Sequence, residues 1–149
     1  MKPKIKKYIK EVLLFAMIFL LVSSIVSLYR TSNMNIRDDI CKDGVQIIYF
    51  WGTWCPVCKI TSPNIERISK SFDLLSIAVR SGDRRDVQAY MKKRALSFSL
   101  VNDKEGAIAK RNGINVFPTT IFCKDKKVEM VEVGYISTFG LWVRALLFT

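Results

Sequence analysis

Hydrophobic positions are unevenly distributed along the chain: one unbroken apolar block near the N-terminus, then short apolar runs separated by turn residues. Residues 2–10 read Lys-Pro-Lys-Ile-Lys-Lys-Tyr-Ile-Lys, and Val12 to Leu28 come next without a charge. As a helix rising about 1.5 Å per residue, this block reaches about 26 Å, the short end of a membrane span. Tyr8 and Tyr29 stand at its two ends, where amphipathic rings favour the headgroup region. The pattern predicts a basic cytoplasmic segment at 1–11 and a transmembrane anchor at 12–29, with the positive-inside rule exporting the remainder of the chain. A cleaved signal sequence is the alternative, for which Ser23, Ser24 and Ser27 offer only a weak cleavage site. Residues 30–44 are polar and turn-rich and read as a linker with a short lead-in. The folded domain is expected at 45–149.

Within that domain Val45 to Trp51 is almost continuously apolar, the pattern of a strand buried on both faces. Pro56 suits a first helical turn, and the helix it opens is expected to bury Ile60, Ile65, Ile68 and Phe72, with a kink near Pro63. Leu74 to Val79 is a second strand that empties into the turn Arg80-Ser81-Gly82-Asp83. Asp83 is a good N-cap for a helix running to about Arg94. A short edge strand at Phe98 to Val101 and a short helix from Glu105 to Asn112, closed by Gly113, come next. Val116 to Cys123 is a strand interrupted at its start by Pro118. Lys127 to Val133 alternates and pairs with it through the turn Lys124-Asp125-Lys126. Gly134 leads to a last amphipathic helix from Thr138 to Leu147. The order βαβα(β)αββα predicts an α/β fold, a central mixed sheet with helices on both faces.

Charge and composition narrow the chemistry. The formal net charge is +11, of which six Lys or Arg against Glu11 fall within the first thirty residues. The remainder is spread thinly, and with no recognised nucleic-acid module beside it no nucleic-acid partner is expected. There is no histidine. That removes Ser-His and Cys-His nucleophilic pairs and the commonest zinc and haem ligands. A c-type haem site is excluded as well, because Lys59 follows Cys58 where attachment needs His. The remaining candidate is cysteine chemistry at Cys41, Cys55, Cys58 and Cys123.

Trp54-Cys55-Pro56-Val57-Cys58 follows a buried strand and opens a helix, a context far more specific than a bare Cys-x-x-Cys. A helix start presents unpaired N–H groups and the positive end of the dipole, both of which favour thiolate. The spacing brings Cys58 within bonding distance, so one cysteine can attack a disulfide and the other can resolve the mixed disulfide. Cys55 is assigned as the exposed nucleophile and Cys58 as the buried resolving thiol. Trp54, Pro56 and Val57 are expected to shape the site, with no cofactor beyond the redox disulfide. A zinc site would need two more ligands, and Cys41 and Cys123 form no second knuckle. Pro118 begins a strand where proline is unwelcome. A cis bond there would set the backbone of Phe117, Pro118 and Thr119 against the Cys55 sulfur.

The stretches YFWGTWCPVCK, AVRSGD, FSLVNDKEGAIA and INVFPTT together resemble the thioredoxin superfamily. Within it the likeness is to the membrane-anchored TlpA-like branch, most of all the suppressor-of-copper-sensitivity D type of protein disulfide oxidoreductase. The resemblance covers about residues 45–147. It implies a thioredoxin fold, a periplasmic domain on a bacterial inner-membrane anchor, Cys55 and Cys58 as redox pair and Pro118 as cis-proline. It further implies protein thiols and disulfides as substrates, a reductase role, and a membrane electron-donor protein as partner. Copper tolerance would follow from keeping other proteins' thiols reduced. A copper-handling module without turnover is the alternative, though Met17, Met34, Met91 and Met130 are scattered. The chain departs from its relatives at Tyr49, where many thioredoxins keep a buried acid, and at Thr61 and Thr119, where some relatives keep glutamates. If the Val45 and Thr119 strands pair antiparallel, as the family implies, Cys41 and Cys123 fall together at the sheet end away from Cys55. A structural disulfide is then possible, but two separate small apolar cysteines are the preferred expectation.

Overall fold

The run Val45–Trp51 becomes β1, the centre of a five-stranded sheet in the order β3-β2-β1-β4-β5. The computed structural model describes residues 3–33 and 36–147, without the side chains of 3–7, 19, 20, 24, 27, 28 and 30–33. Its elements are α1 (Pro3–Asn33), β1, α2 (Pro56–Ile68), β2 (Asp73–Val79), α3 (Arg84–Lys93), β3 (Ser99–Asp103), α4 (Ala107–Arg111), β4 (Thr119–Lys124), β5 (Lys127–Val133) and α5 (Thr138–Leu147). β1 runs parallel to β2, and β2 to β3; β4 is antiparallel to β1 and β5. This is the thioredoxin fold with its mixed sheet.

Alternation along β1 splits the core into two layers. Ile47, Tyr49 and Trp51 face the layer that α2, α3 and α5 cover with Ile65, Ile68, Val87, Met91, Leu141 and Ala145. Ile48 and Phe50 face the opposite layer, built from Ile77, Val79, Ile121 and Ala109 of α4. The β4–β5 turn is two residues long, and Asp125 and Lys126 both take positive φ, the twist a tight hairpin requires.

Three expectations change. Ile60 is 61% exposed, because the buried stripe of α2 runs through Cys58, Thr61, Ser62, Ile65 and Ile68, and at about 100° per residue position 60 points away from it. Phe72 lies beyond the end of α2, where its ring meets Trp142 edge to face at 5.4 Å. Strand pairing begins at Thr119 rather than Val116, since Pro118 has no N–H to give the ladder.

The stretch before β1 is also structured. A 3₁₀ turn at Asp38–Ile40 folds it onto the hairpin end, where Val128 N–H donates to Asp38 Oδ1 at 3.0 Å and Lys126 N–H to the Lys42 carbonyl at 3.0 Å. Ile36 and Ile40 pack on the second layer. Register places Gln46 opposite Cys123, and the lead-in holds Cys41 at that same end of the sheet. Contrary to the preferred expectation, Cys41 and Cys123 are joined as a disulfide, with Cα atoms 5.7 Å apart and a sequence separation of 82.

Among the described residues no helix is long and apolar enough to cross a membrane. The block expected to do so includes residues 19, 20, 24, 27 and 28, whose side chains lie outside the described set, as do residues 1 and 2 of the basic segment.

Candidate active site

β1 delivers the chain to the upper end of the sheet, and Gly52-Thr53-Trp54 turns it into α2. A Cβ at Gly52 would fall 2.6 Å from the Trp54 indole, so any larger residue there would displace that ring. The turn is pinned twice. Thr53 N–H donates to Ser81 Oγ at 3.0 Å, and Trp54 Nε1 donates to the Val79 carbonyl at 3.1 Å. Both acceptors sit at the end of β2, so the turn is fastened to the neighbouring parallel strand.

Cys55 is the N-cap of α2, with Pro56 in the first turn. Its sulfur accepts the Cys58 N–H at 3.1 Å, one of the donors a helix start leaves unpaired. Cys55 and Cys58 form a disulfide with Cα atoms 5.2 Å apart. When the bond is reduced, that N–H and the α2 dipole stabilise negative charge on the Cys55 sulfur. The Phe117–Pro118 peptide is cis, and the Phe117 carbonyl oxygen lies 3.6 Å from Cys55 Sγ. Thr119 is buried at the start of β4, and its hydroxyl donates to the Val116 carbonyl at 2.7 Å. The residues expected to form the site are thus brought together.

One expectation is corrected. Cys55 is 3% exposed and Cys58 1%, so neither sulfur stands clear in solvent. The Phe117 carbonyl approaches Cys55, and in the adjoining segments the apolar side chains of Trp54, Val57, Ile60 and Val116 are exposed.

Beneath the pair, Ser62 Oγ donates to the Cys58 carbonyl at 2.8 Å. Its hydrogen is thereby spent, so in the 3.2 Å contact between them Tyr49 O–H donates to Ser62 Oγ. Burial pushes the Tyr49 phenol far above its ordinary range. Tyr49 is therefore neutral and holds α2 to β1. Thr61 donates to the Val57 carbonyl at 2.9 Å. Among the described residues the one buried carboxylate is Asp103, and it accepts Ile108 and Ala109 N–H at the start of α4. Nor does any group of three His, Cys, Asp or Glu among the described residues form a metal-holding cluster.

Glu66 anchors the other end of α2. Burial pushes its carboxyl up, but the Ser97 hydroxyl and the Ser97 and Phe98 N–H groups outweigh this and hold it below the usual carboxylate range. Sequence reasoning missed Arg80 and Lys110, which stand beside Trp54 and Phe117 in the wall of a cavity next to the pair. The turn Arg80-Ser81-Gly82-Asp83 was visible as a turn, but its position at the site depends on where β2 ends.

Residues 28–131 match the AhpC/TSA family. The chain is 34% identical to a thioredoxin-like protein of Haemophilus influenzae, the match covering 95% of each chain. It is 27% identical to the sporulation thiol-disulfide oxidoreductase A of Bacillus subtilis over 59% of this chain and 58% of that protein. The crystal structure of StoA from Bacillus subtilis superposes with a TM-score of 0.62 at 23% identity, covering 72% of this chain and 90% of StoA. A secreted disulfide oxidoreductase of Mycobacterium tuberculosis gives 0.61 at 21% identity over 75% and 84%. These solved structures share the fold.

Proposed function

The chain belongs to the AhpC/TSA family and is a thioredoxin-like protein-disulfide oxidoreductase, and from that premise we propose that it is a membrane-anchored reductase of extracytoplasmic protein disulfides. The observation that carries the proposal is the Cys55 sulfur at the N-cap of α2, receiving the Cys58 N–H and facing the Phe117–Pro118 backbone. In the reduced enzyme the Cys55 thiolate attacks one sulfur of a substrate disulfide. A mixed disulfide forms and the other substrate sulfur leaves as a thiolate. Deprotonated Cys58 then attacks Cys55, closing the Cys55–Cys58 disulfide and releasing the second substrate thiolate. Two electrons have passed to the substrate. A dithiol on a membrane electron-donor protein returns them by the same exchange in reverse.

Support for the compartment comes from two features. The lysines before the uncharged block Val12 to Leu28 favour an anchor with the domain exported. The Cys41–Cys123 pair suits an oxidising compartment, where structural disulfides persist. The resemblance to the TlpA-like branch supports the reductase direction and a part in copper tolerance.

Insulin reduction by the full chain with dithiothreitol tests the chemistry. Wild type is expected to precipitate the insulin B chain, Cys55→Ser to abolish this, and Cys58→Ser, reduced beforehand and freed of dithiothreitol, to trap a mixed disulfide with insulin. Turnover that survives Cys55→Ser contradicts the mechanism. Retention of the chain in membranes washed with alkaline carbonate, with the domain open to protease only from outside, tests the anchor.

A further inference from the structure

Next to the redox pair lies a cavity of about 630 Å³ whose charged lining is of one sign. Trp54 and Phe117, edge to face with centroids 5.5 Å apart, form its wall nearest Cys55. Arg80 comes from the end of β2, Lys110 from α4, and Val116 from the segment before Pro118. No Asp or Glu is among the lining residues. Such a volume suits a few side chains of an extended segment rather than a folded domain.

Both cations are exposed, and among the described residues neither makes an ion pair. Other basic side chains do find acids: Lys104 with Asp83, Lys126 with Asp43 and Arg144 with Glu132. The nearby buried acid, Asp103, is committed to the N–H groups of α4. Arg80 is also held in place. It takes φ 48, a left-handed conformation that L-residues seldom adopt, and its N–H donates to the Asp103 carbonyl at 3.0 Å. Its side chain crosses Gly106, where a Cβ would fall 2.8 Å from Arg80 Nε, so a side chain at 106 would block that path.

We propose that this cavity is a specificity subsite that receives a carboxylate-bearing segment of the protein substrate, binding Asp or Glu side chains through Arg80 and Lys110 while the neighbouring cysteine reaches Cys55. The subsite rests on the disulfide-exchange role of Cys55 and Cys58 and names the substrate class that role acts on. Charge complementarity favours such a segment on a wider scale, since residues 31–149 carry eighteen Lys or Arg against twelve Asp or Glu.

The test uses the full chain in detergent and two synthetic peptides, each with one intramolecular disulfide, in which either three Asp or three Lys flank the cysteines. At low ionic strength wild type is expected to favour the Asp peptide by about tenfold in kcat/KM, a preference that added salt shrinks. In Arg80→Gln/Lys110→Gln the preference is expected to fall below about twofold, with Arg80→Lys recovering part of it because charge rather than fork geometry is read. A wild type without preference, or a double variant that keeps it, overturns the subsite. A second measurement separates the two levels: binding of the same peptides with serine for cysteine to the oxidised chain, followed by tryptophan fluorescence. Selective binding of the acidic peptide without turnover of its disulfide form would sustain the subsite and remove the exchange chemistry. Turnover without charge selectivity would do the reverse. Equal binding of inorganic phosphate in competition would mark a generic anion site and overturn the substrate assignment.

Discussion

The two disulfides of this protein are the same bond in two different settings. Cys55–Cys58 joins residues three positions apart at a helix start; Cys41–Cys123 joins residues 82 positions apart, tying the lead-in turn to β4. Solvent exposure does not separate them, for Cys41 at 7% is more exposed than Cys55 at 3%. Their surrounding chemistry does. Cys55 has an N–H directed at its sulfur, a helix dipole behind it and a second cysteine one turn away. Cys123 sits fully buried inside β4 among Ile48, Ile121 and Val128, an apolar setting that disfavours a thiolate and so disfavours exchange. Reactivity follows the local field and approach path; structural value follows the length of chain enclosed.

The largest expected effect breaks the comparison at its reactive end. Cys55→Ser should lower insulin reduction by at least about a thousandfold, since no other group supplies the attacking sulfur. Loss of less than about tenfold would mean that a different cysteine reacts.

The second breaks it at the structural end. Cys41→Ser/Cys123→Ser should lower stability by about 3 kcal/mol, the common worth of a bond closing a long loop. Thermal unfolding should shift down by roughly 10–15 °C for a domain of this size, while insulin reduction at room temperature stays within about twofold of wild type. Unchanged melting, or loss of exchange in a still folded variant, would dissolve the distinction.

Two smaller effects sharpen it by testing the frame around α2. Glu66→Gln should cost about 1–2 kcal/mol near neutral pH, because a carboxylate accepting three hydrogen bonds loses its charge. Its folded-state carboxyl is held low, so the stabilisation is present above the unfolded carboxylate value and fades as pH falls through the folded one. Chemical denaturation of both proteins from about pH 7 to about pH 3 should therefore show the gap closing toward acid. Tyr49→Phe should cost about 1 kcal/mol through the lost bond to Ser62. Its raised phenol gives stability that is present below about pH 10 and lost as pH rises further. Wild type, but not the variant, should lose that increment in alkali, and exchange rates should match at neutral pH.

The strands and helices with strong local signals were legible in the sequence. β1, β5 and α5 keep the bounds that an apolar run, an alternating run and Gly134 suggested, although β4 extends through Lys124 and shortens the turn to Asp125-Lys126. The gathering of Cys55, Cys58 and Pro118 was equally legible, because it needs only a few consecutive residues and one proline; the burial of Cys55 beside the Phe117 carbonyl was not. The Cys41–Cys123 bond was not. It depends on register to one residue, and the β4–β5 ladder shifts between Phe122 and Cys123. Ile60 misled because hydrophobicity alone suggested burial, whereas the helix buries Thr61 and Ser62 to bind its own carbonyls. The basic cavity was invisible for a further reason: Arg80 and Lys110 stand thirty residues apart and meet only where β2 ends beside α4.

The measurement that tests the account most directly is a redox titration of the full chain in glutathione and dithiothreitol buffers, with thiols alkylated and both cysteine pairs read by peptide mass spectrometry. Cys55–Cys58 is expected to titrate alone, near the reducing thioredoxin range of about −270 mV, while Cys41–Cys123 stays oxidised to potentials below about −300 mV. Joint titration of the two pairs, or a Cys55–Cys58 potential near the strongly oxidising value of about −120 mV, would contradict it.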